Sequence, residues 1–164
     1  MRAWVDDHPV GRRHVVPREH THNRWNRDLP PVLHARSGDV IEFLTIAADD
    51  RQIDPTRPSL DFDRGRVHPL TGPVAIEGAE PGDVLEVRIL DVDVSDWGWQ
   101  TVTQDRGFVK NFISEPQVII IRICRERGVA RYPSGAELDL DPFPGIVGVA
   151  PPEPGEHRTS APGP

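Results

Sequence analysis

Prolines and glycines punctuate this chain so closely that long helices are excluded. There are 18 prolines and 14 glycines among 164 residues. Proline removes a helix donor and glycine weakens a helix interior, yet both leave segments of strand length intact between them. The chain therefore reads as mainly β: sandwich- or barrel-like sheets, long Pro/Gly-rich connections and little helix. Runs rich in Val, Ile and Leu, each bounded by turn residues, predict strands over Val40–Ala47, Val74–Glu77, Val84–Val94, Val118–Arg125 and Leu138–Leu140. In Val84–Val94 the apolar positions break strict alternation, which suggests a bulge or burial on both faces.

An internal echo points the same way. Ser37–Phe43 reads SGDVIEF and Pro81–Val87 reads PGDVLEV, each a Gly-Asp turn leading into a strand entrance. In both copies the aspartate, Asp39 or Asp83, is expected to stabilise the turn by bonding nearby N–H groups. Helix signals are confined to Gly107–Ser114, which could form one short helix or turn before Pro116. The rest of 95–117 reads as a long connection in which Trp97, Trp99 and Phe108 pack over an edge. Residues 1–150 form one β-rich domain on this reading. Pro151–Pro164, PPEPGEHRTSAPGP, is an extended tail or linker.

Composition removes several functional classes. The formal charge is -7, and a surface of that sign repels phosphates, so no nucleic-acid partner is expected. Arg12, Arg13, Arg18, Arg24 and Arg27 cluster near the start, but histidines and acids interrupt them and solvated or ion-paired roles suffice. No stretch of about 18 apolar residues could span a bilayer, and the opening MRAWVDDHPVGRRHVV lacks a secretion signal, which places the protein in the cytoplasm without a membrane partner. The single cysteine, Cys124, allows no internal disulfide, and strand burial accounts for it. No G-x-S-x-G elbow, phosphate loop or dinucleotide fingerprint occurs, and Ser95 and Ser134 lack a base nearby in sequence.

Three separated motifs carry a resemblance. HPLTGPVAIEGAEPGDVLEV from His68 joins fixed turns at Pro69, Gly72 and Pro73 to a strand entrance; HNRWNRDLPPVLHARSGDVIEF precedes it from His22; DPFPGIVGVAP follows from Asp141. Together, in this order, they resemble the acetamidase/formamidase family, whose members hydrolyse short-chain amides to ammonia and a carboxylic acid. The resemblance implies a small amide substrate and a tendency to form homo-oligomers. Members of that family are about twice as long, and their second half carries glycine-rich, acidic and histidine-containing motifs absent here. The resemblance thus implies an N-terminal half, with a separate C-terminal half as a further expected partner.

Amide hydrolysis needs an activated water, polarisation of the carbonyl and a proton for the leaving amine. His68 opens the proline-fixed turn and is the expected catalytic side chain, against a conformational role. Thr71 and Gly72 could present a hydroxyl and an N–H to a substrate carbonyl, the alternative being a purely structural turn. His20 and His22 stand two apart, which on a strand places both on one face, and His34 could join them. Asp61 and Asp63 repeat that spacing. His20, His22, Asp61 and Asp63 would suit a divalent metal, zinc foremost, while loop histidines and solvated aspartates are the plainer reading. Trp25 reads as packing. The expected activity is hydrolysis of formamide- or acetamide-type linear amides; the alternatives are a catalytically inactive truncated homologue serving as a binding or assembly module, and a small β-sandwich that binds a metal or small molecule, its family likeness reflecting shared turns alone.

Overall fold

The computed structural model describes residues 11–159 except Arg106 and Val109. The opening MRAWVDDHPV and residues 160–164 of the tail lie outside the described residues. The chain is mainly β with almost no helix, as the proline and glycine spacing predicts. It divides into two compact units, one holding the residues up to Asp50, Gly65–Glu86 and those from Gly148 on, the other Arg51–Arg64 and Val87–Val147.

The first unit is built from short paired strands. Arg13–Val16 (β1) runs parallel to Val40–Phe43 (β5), with Val16 opposite Phe43. Thr21–His22 (β2) is antiparallel to Leu70–Thr71 (β6). Arg24–Trp25 (β3) pairs with His157–Arg158 (β12), and Leu33–Ala35 (β4) runs parallel to Val74–Ile76 (β7). Val16 and Ala35 are each 1% exposed and form the apolar centre of these pairs. Parallel neighbours require long returns of chain, which is why β1–β5 and β4–β7 join residues distant in sequence.

The turn before β5 shows how the sequence sets this geometry. Gly38 takes φ 88°, a backbone conformation that glycine reaches without steric cost. Asp39 then accepts the N–H groups of Arg36 at 2.9 Å and Arg12 at 2.8 Å, and contacts His14 Nε2 at 3.0 Å. One carboxylate therefore closes its own turn and fastens the start of β1. The Arg36 N–H, followed by His14 and the Arg12 N–H, holds its carboxyl below the ordinary aspartate range.

The second unit contains one antiparallel sheet of Glu137–Asp139 (β11), Val129–Arg131 (β10), Gln117–Cys124 (β9) and Trp97–Val102 (β8), in that spatial order. Ile53, Ile121 and Val129 supply its buried apolar side chains. At its edge Glu137 is held by both Arg127 and Arg131. These guanidinium groups, Arg127 first, keep the Glu137 carboxyl below its ordinary range.

Two local expectations need correction. Trp97–Val102 is a strand and not part of a connection: six consecutive pairs match it to β9, a partner that makes its aromatic and β-branched residues more useful as strand than as cover. Val84–Val94 forms no strand, because β-propensity needs a neighbouring ladder and none is assigned there among the described residues. Among the described residues of Gly107–Ser114, Lys110–Phe112 forms a 3₁₀ turn, in keeping with the short helix or turn expected there.

Candidate functional site

The HPLTGP motif forms an arch fastened at both ends. At its start His68 adopts φ 60° and donates its N–H to the Ala48 carbonyl at 2.7 Å. A side chain that is neither glycine nor asparagine is strained there, by about 1 kcal/mol or more. The turn that holds Ala48 shares the strain, since Asp50 and Arg51 take φ 54° and 59°. Arg66 steadies that corner by donating twice to Asp50 Oδ2, at 2.9 and 2.6 Å.

At the other end of the arch, Gly72 donates its N–H to the His20 carbonyl at 2.9 Å. Gly72 is buried with φ 139°, so a conformation open to glycine brings the arch against β2. The Gly72–Pro73 peptide is cis. With its N–H engaged by His20, Gly72 shapes the arch, and the hydroxyl of half-buried Thr71 is the group left to meet a ligand oxygen. Pairing of β2 with β6 sets Thr21 opposite Thr71 and His22 opposite Leu70. The structure thus brings His20, His22, Thr71 and Gly72 to one place.

His22 is oriented by its own backbone. Its Nδ1 lies 2.8 Å from the Arg24 carbonyl, and a carbonyl can only accept, so Nδ1 carries the hydrogen. The neutral ring then presents its lone pair at Nε2, the tautomer suited to taking a proton or coordinating a metal. His20 is exposed, and His34 projects from β4 and is exposed too.

Asp61 and Asp63 belong to the second unit. Their backbones are held locally: the Asp61 N–H donates to Ser59 Oγ at 3.0 Å and the Asp63 N–H to Gln52 Oε1 at 2.8 Å. Among the described residues no three His, Cys, Asp or Glu side chains converge as a metal-binding group. A closed zinc centre takes four ligands and a catalytic one three, so the described residues do not assemble that donor set.

Two further contributors come from the tail. His157 pairs with Trp25 across β12 and β3, and its Nε2 is buried without a hydrogen-bond partner. Thr159, 5% exposed, points its hydroxyl at the carbonyls of Asn23 at 3.5 Å and Val67 at 3.3 Å. Thr159 therefore ties the segment carrying His22 to the segment carrying His68. Arg24 reinforces the tie through the Gly65 carbonyl at 3.0 Å, and Arg27 bonds the Pro152 carbonyl. Gly148 packs on Trp25, where a Cβ would lie 2.6 Å from Cη2. Nothing in the proline-rich wording of the tail marks His157 or Thr159, whose signal is visible only once β12 is paired.

An all-β chain with a strained, histidine-bearing arch defines a class of scaffold, and comparison with known proteins defines it further. Residues 10–159 match the model of the Acetamidase/Formamidase family. The chain belongs to that family. It is 42% identical over 139 residues to a formamidase of Methylophilus methylotrophus, covering 79% of this chain and 34% of that protein. It is 28% identical over 163 residues to an acetamidase of Mycolicibacterium smegmatis, covering 90% and 39%. Among solved structures, an acetamidase from Bacillus halodurans superposes with a TM-score of 0.82 at 30% identity, covering 91% of this chain and 50% of that one. A predicted acetamidase/formamidase from Thermoanaerobacter tengcongensis gives 0.83 at 29% identity, covering 93% and 50%. The chain spans between a third and two fifths of the length of these curated relatives and half of the solved chains. No helix among the described residues is long and apolar enough to cross a membrane.

Proposed function

We propose that this chain takes part in hydrolysis of short linear amides of the formamide and acetamide type, yielding ammonia and a carboxylate, in the cytoplasm. Polypeptide matching the rest of its relatives' length would complete the site. The observation that carries the reading is His68, held at φ 60° by the Ala48 carbonyl, because strain at a non-glycine residue concentrates where function requires a fixed side chain.

In this reading the His68 imidazole takes a proton from the attacking water and returns it to the leaving amine. The Thr71 hydroxyl donates to the carbonyl oxygen as charge develops there. His22, with its Nε2 lone pair exposed by the bond to Arg24, is the reserve base or ligand. A divalent ion, zinc foremost, held by His20 and His22 of the first unit with further donors from the polypeptide that completes the site, is a separate part of the proposal, and no step above is routed through it. Stoichiometric metal in purified protein, lost in His22→Ala, supports it; metal-free active protein removes it.

The test of function is ammonia release from formamide and acetamide, by the protein alone and with the product of any downstream reading frame. Activity lost in His68→Ala, with the fold retained, is the expected result. Absence of ammonia in every combination overturns the hydrolase reading and leaves a catalytically inactive binding or assembly module, which the exposed apolar run Val84–Leu90 favours.

A further inference from the structure

The antiparallel sheet of the second unit is left unfinished along half of its longest strand. On one side of β9, Gln117–Cys124, strand β8 matches every residue from Gln117 to Arg122. On the other side β10 meets only Arg122, Ile123 and Cys124. The Ile123 N–H donates to the Asp96 carbonyl at 2.8 Å, on the β8 side. Main-chain groups alternate in direction along a strand, so those of Ile119 and Ile121 also turn to β8, while those of Val118, Ile120, Arg122 and Cys124 turn away from it. Arg122 and Cys124 meet Arg131 and Val129 there. Val118 and Ile120 meet no main-chain partner among the described residues.

The sequence explains why β10 stops short. In the register that sets Arg131 opposite Arg122, the residue opposite Ile120 would be Pro133, which has no N–H to donate. Tyr132 gives its N–H to the Ala136 carbonyl at 2.9 Å and accepts from Gly135 at 3.0 Å, so the chain turns into β11. A cleft of about 310 Å³ remains along the open edge, walled by half-buried Val118, Ile119 and Ile120 and faced by Pro58, Tyr132 and Pro133. Consecutive residues of β9 line it, so it lies at the edge of the strand and not on one face. Main-chain donors and acceptors at Val118 and Ile120, beside apolar walls, suit an added strand that brings an apolar side chain.

The length of the relatives supplies the occupant. This chain covers half of each of the two solved acetamidase-type chains that share its fold, and the other half is polypeptide enough for a further strand. An open β-edge pairs with extended chain that comes near it, and polypeptide of the same protein is the nearest. We propose that Val118–Ile120 receives an extended strand from the polypeptide matching the remainder of the relatives' length, laid in line with β10 with an apolar side chain in the cleft between Pro58 and Tyr132. This rests on the reading that such polypeptide completes the protein, and it uses neither His68 nor the arch.

The test is amide hydrogen exchange, read residue by residue, on the full chain alone and on the full chain fused in place of the matched stretch of the Methylophilus methylotrophus formamidase. In the chain alone, Val118 and Ile120 are expected to exchange on the order of tenfold or more faster than Ile119 and Ile121, which β8 holds. In the fusion both are expected to slow to the rate of those neighbours. Val118→Pro removes an edge donor and no bond to β8, so the chain alone is expected to tolerate it while the fusion melts at a lower temperature. Ile119→Pro, which removes a bond to β8, is expected to lower melting in both. Val118 and Ile120 already slow in the chain alone, or still fast in the folded fusion, overturn the proposal. Ammonia release is scored separately: a protected edge in a fusion that releases none upholds this inference and counts against the hydrolase reading, and an active fusion with a fast edge overturns this inference alone.

Discussion

Substituting Gly11 by alanine tests how closely β1 meets the Asp39 turn. A Cβ at Gly11 would lie 2.5 Å from Asp39 Oδ1, 2.7 Å from the Gly38 carbonyl oxygen and 2.8 Å from the Asp39 nitrogen. Only the first of these can swing aside, and it holds the Arg12 N–H when in place. The other two are backbone, so β1 itself must retreat. That endangers the bonds from Gly11 N–H to Gly38 at 3.0 Å and from Val40 N–H to Arg12 at 2.9 Å. Overpacking costs about 1–3 kcal/mol and a weakened hydrogen bond about 1 kcal/mol, so Gly11→Ala is expected to lose about 2–3 kcal/mol. For a chain of this size that corresponds to a Tm lower by about 5–10 °C. Urea titration and thermal melting measure it, with Gly145→Ala as control, since a Cβ at Gly145 meets nothing within 4 Å. If Gly11→Ala melts within about 1 °C of wild type, the tight approach of β1 to its turn is refuted.

Other outcomes follow from the same geometry. The Asp39 carboxyl titrates below its ordinary value in the folded chain, so its contribution is full above about pH 5 and fades as pH falls through that depressed value. Asp39→Asn is therefore expected to lower stability at neutral pH and to approach wild type in acid unfolding curves; a gap that does not narrow as pH falls contradicts the assignment. His68→Gly relieves a left-handed side chain and is expected to leave stability unchanged or raised by up to about 1 kcal/mol while abolishing ammonia release. A loss of fold in denaturation, or retained turnover, counts against His68 as the working imidazole. Ile121→Ala, in the middle of β9, is expected to cost about 2–4 kcal/mol in urea unfolding.

Strands with a partner close in sequence were the easiest to read. Val118–Arg125 matches β9 almost to its ends, because a long branched run bounded by turns leaves few alternatives. The HPLTGP arch was legible as a turn from its prolines and Gly72, and the Asp39 turn from its Gly-Asp wording. Trp97–Val102 was missed since two tryptophans and a glycine look like covering residues until β9 lies beside them. Val84–Val94 misled for the converse reason: its residues favour strand, but the preference is realised only against a neighbour. At the candidate site, the histidines could be named from sequence, while the His22 tautomer depends on the Arg24 carbonyl and could not. The burial of His157 depends on a pairing across more than a hundred residues, which no local pattern encodes.

That pairing has a consequence for how the protein is made. The segment Arg24–Trp25 emerges early in synthesis, yet its partner His157–Arg158 follows some 130 residues later. At about 5–20 residues per second, the ribosome leaves the early segment waiting roughly 7–27 seconds. Closing so long a loop is slow and entropically costly, so the corner around Trp25 is expected to mature after the other strand pairs of the first unit. A ribosome-bound chain halted before Glu156 would expose this corner to protease, and one released after Thr159 would protect it.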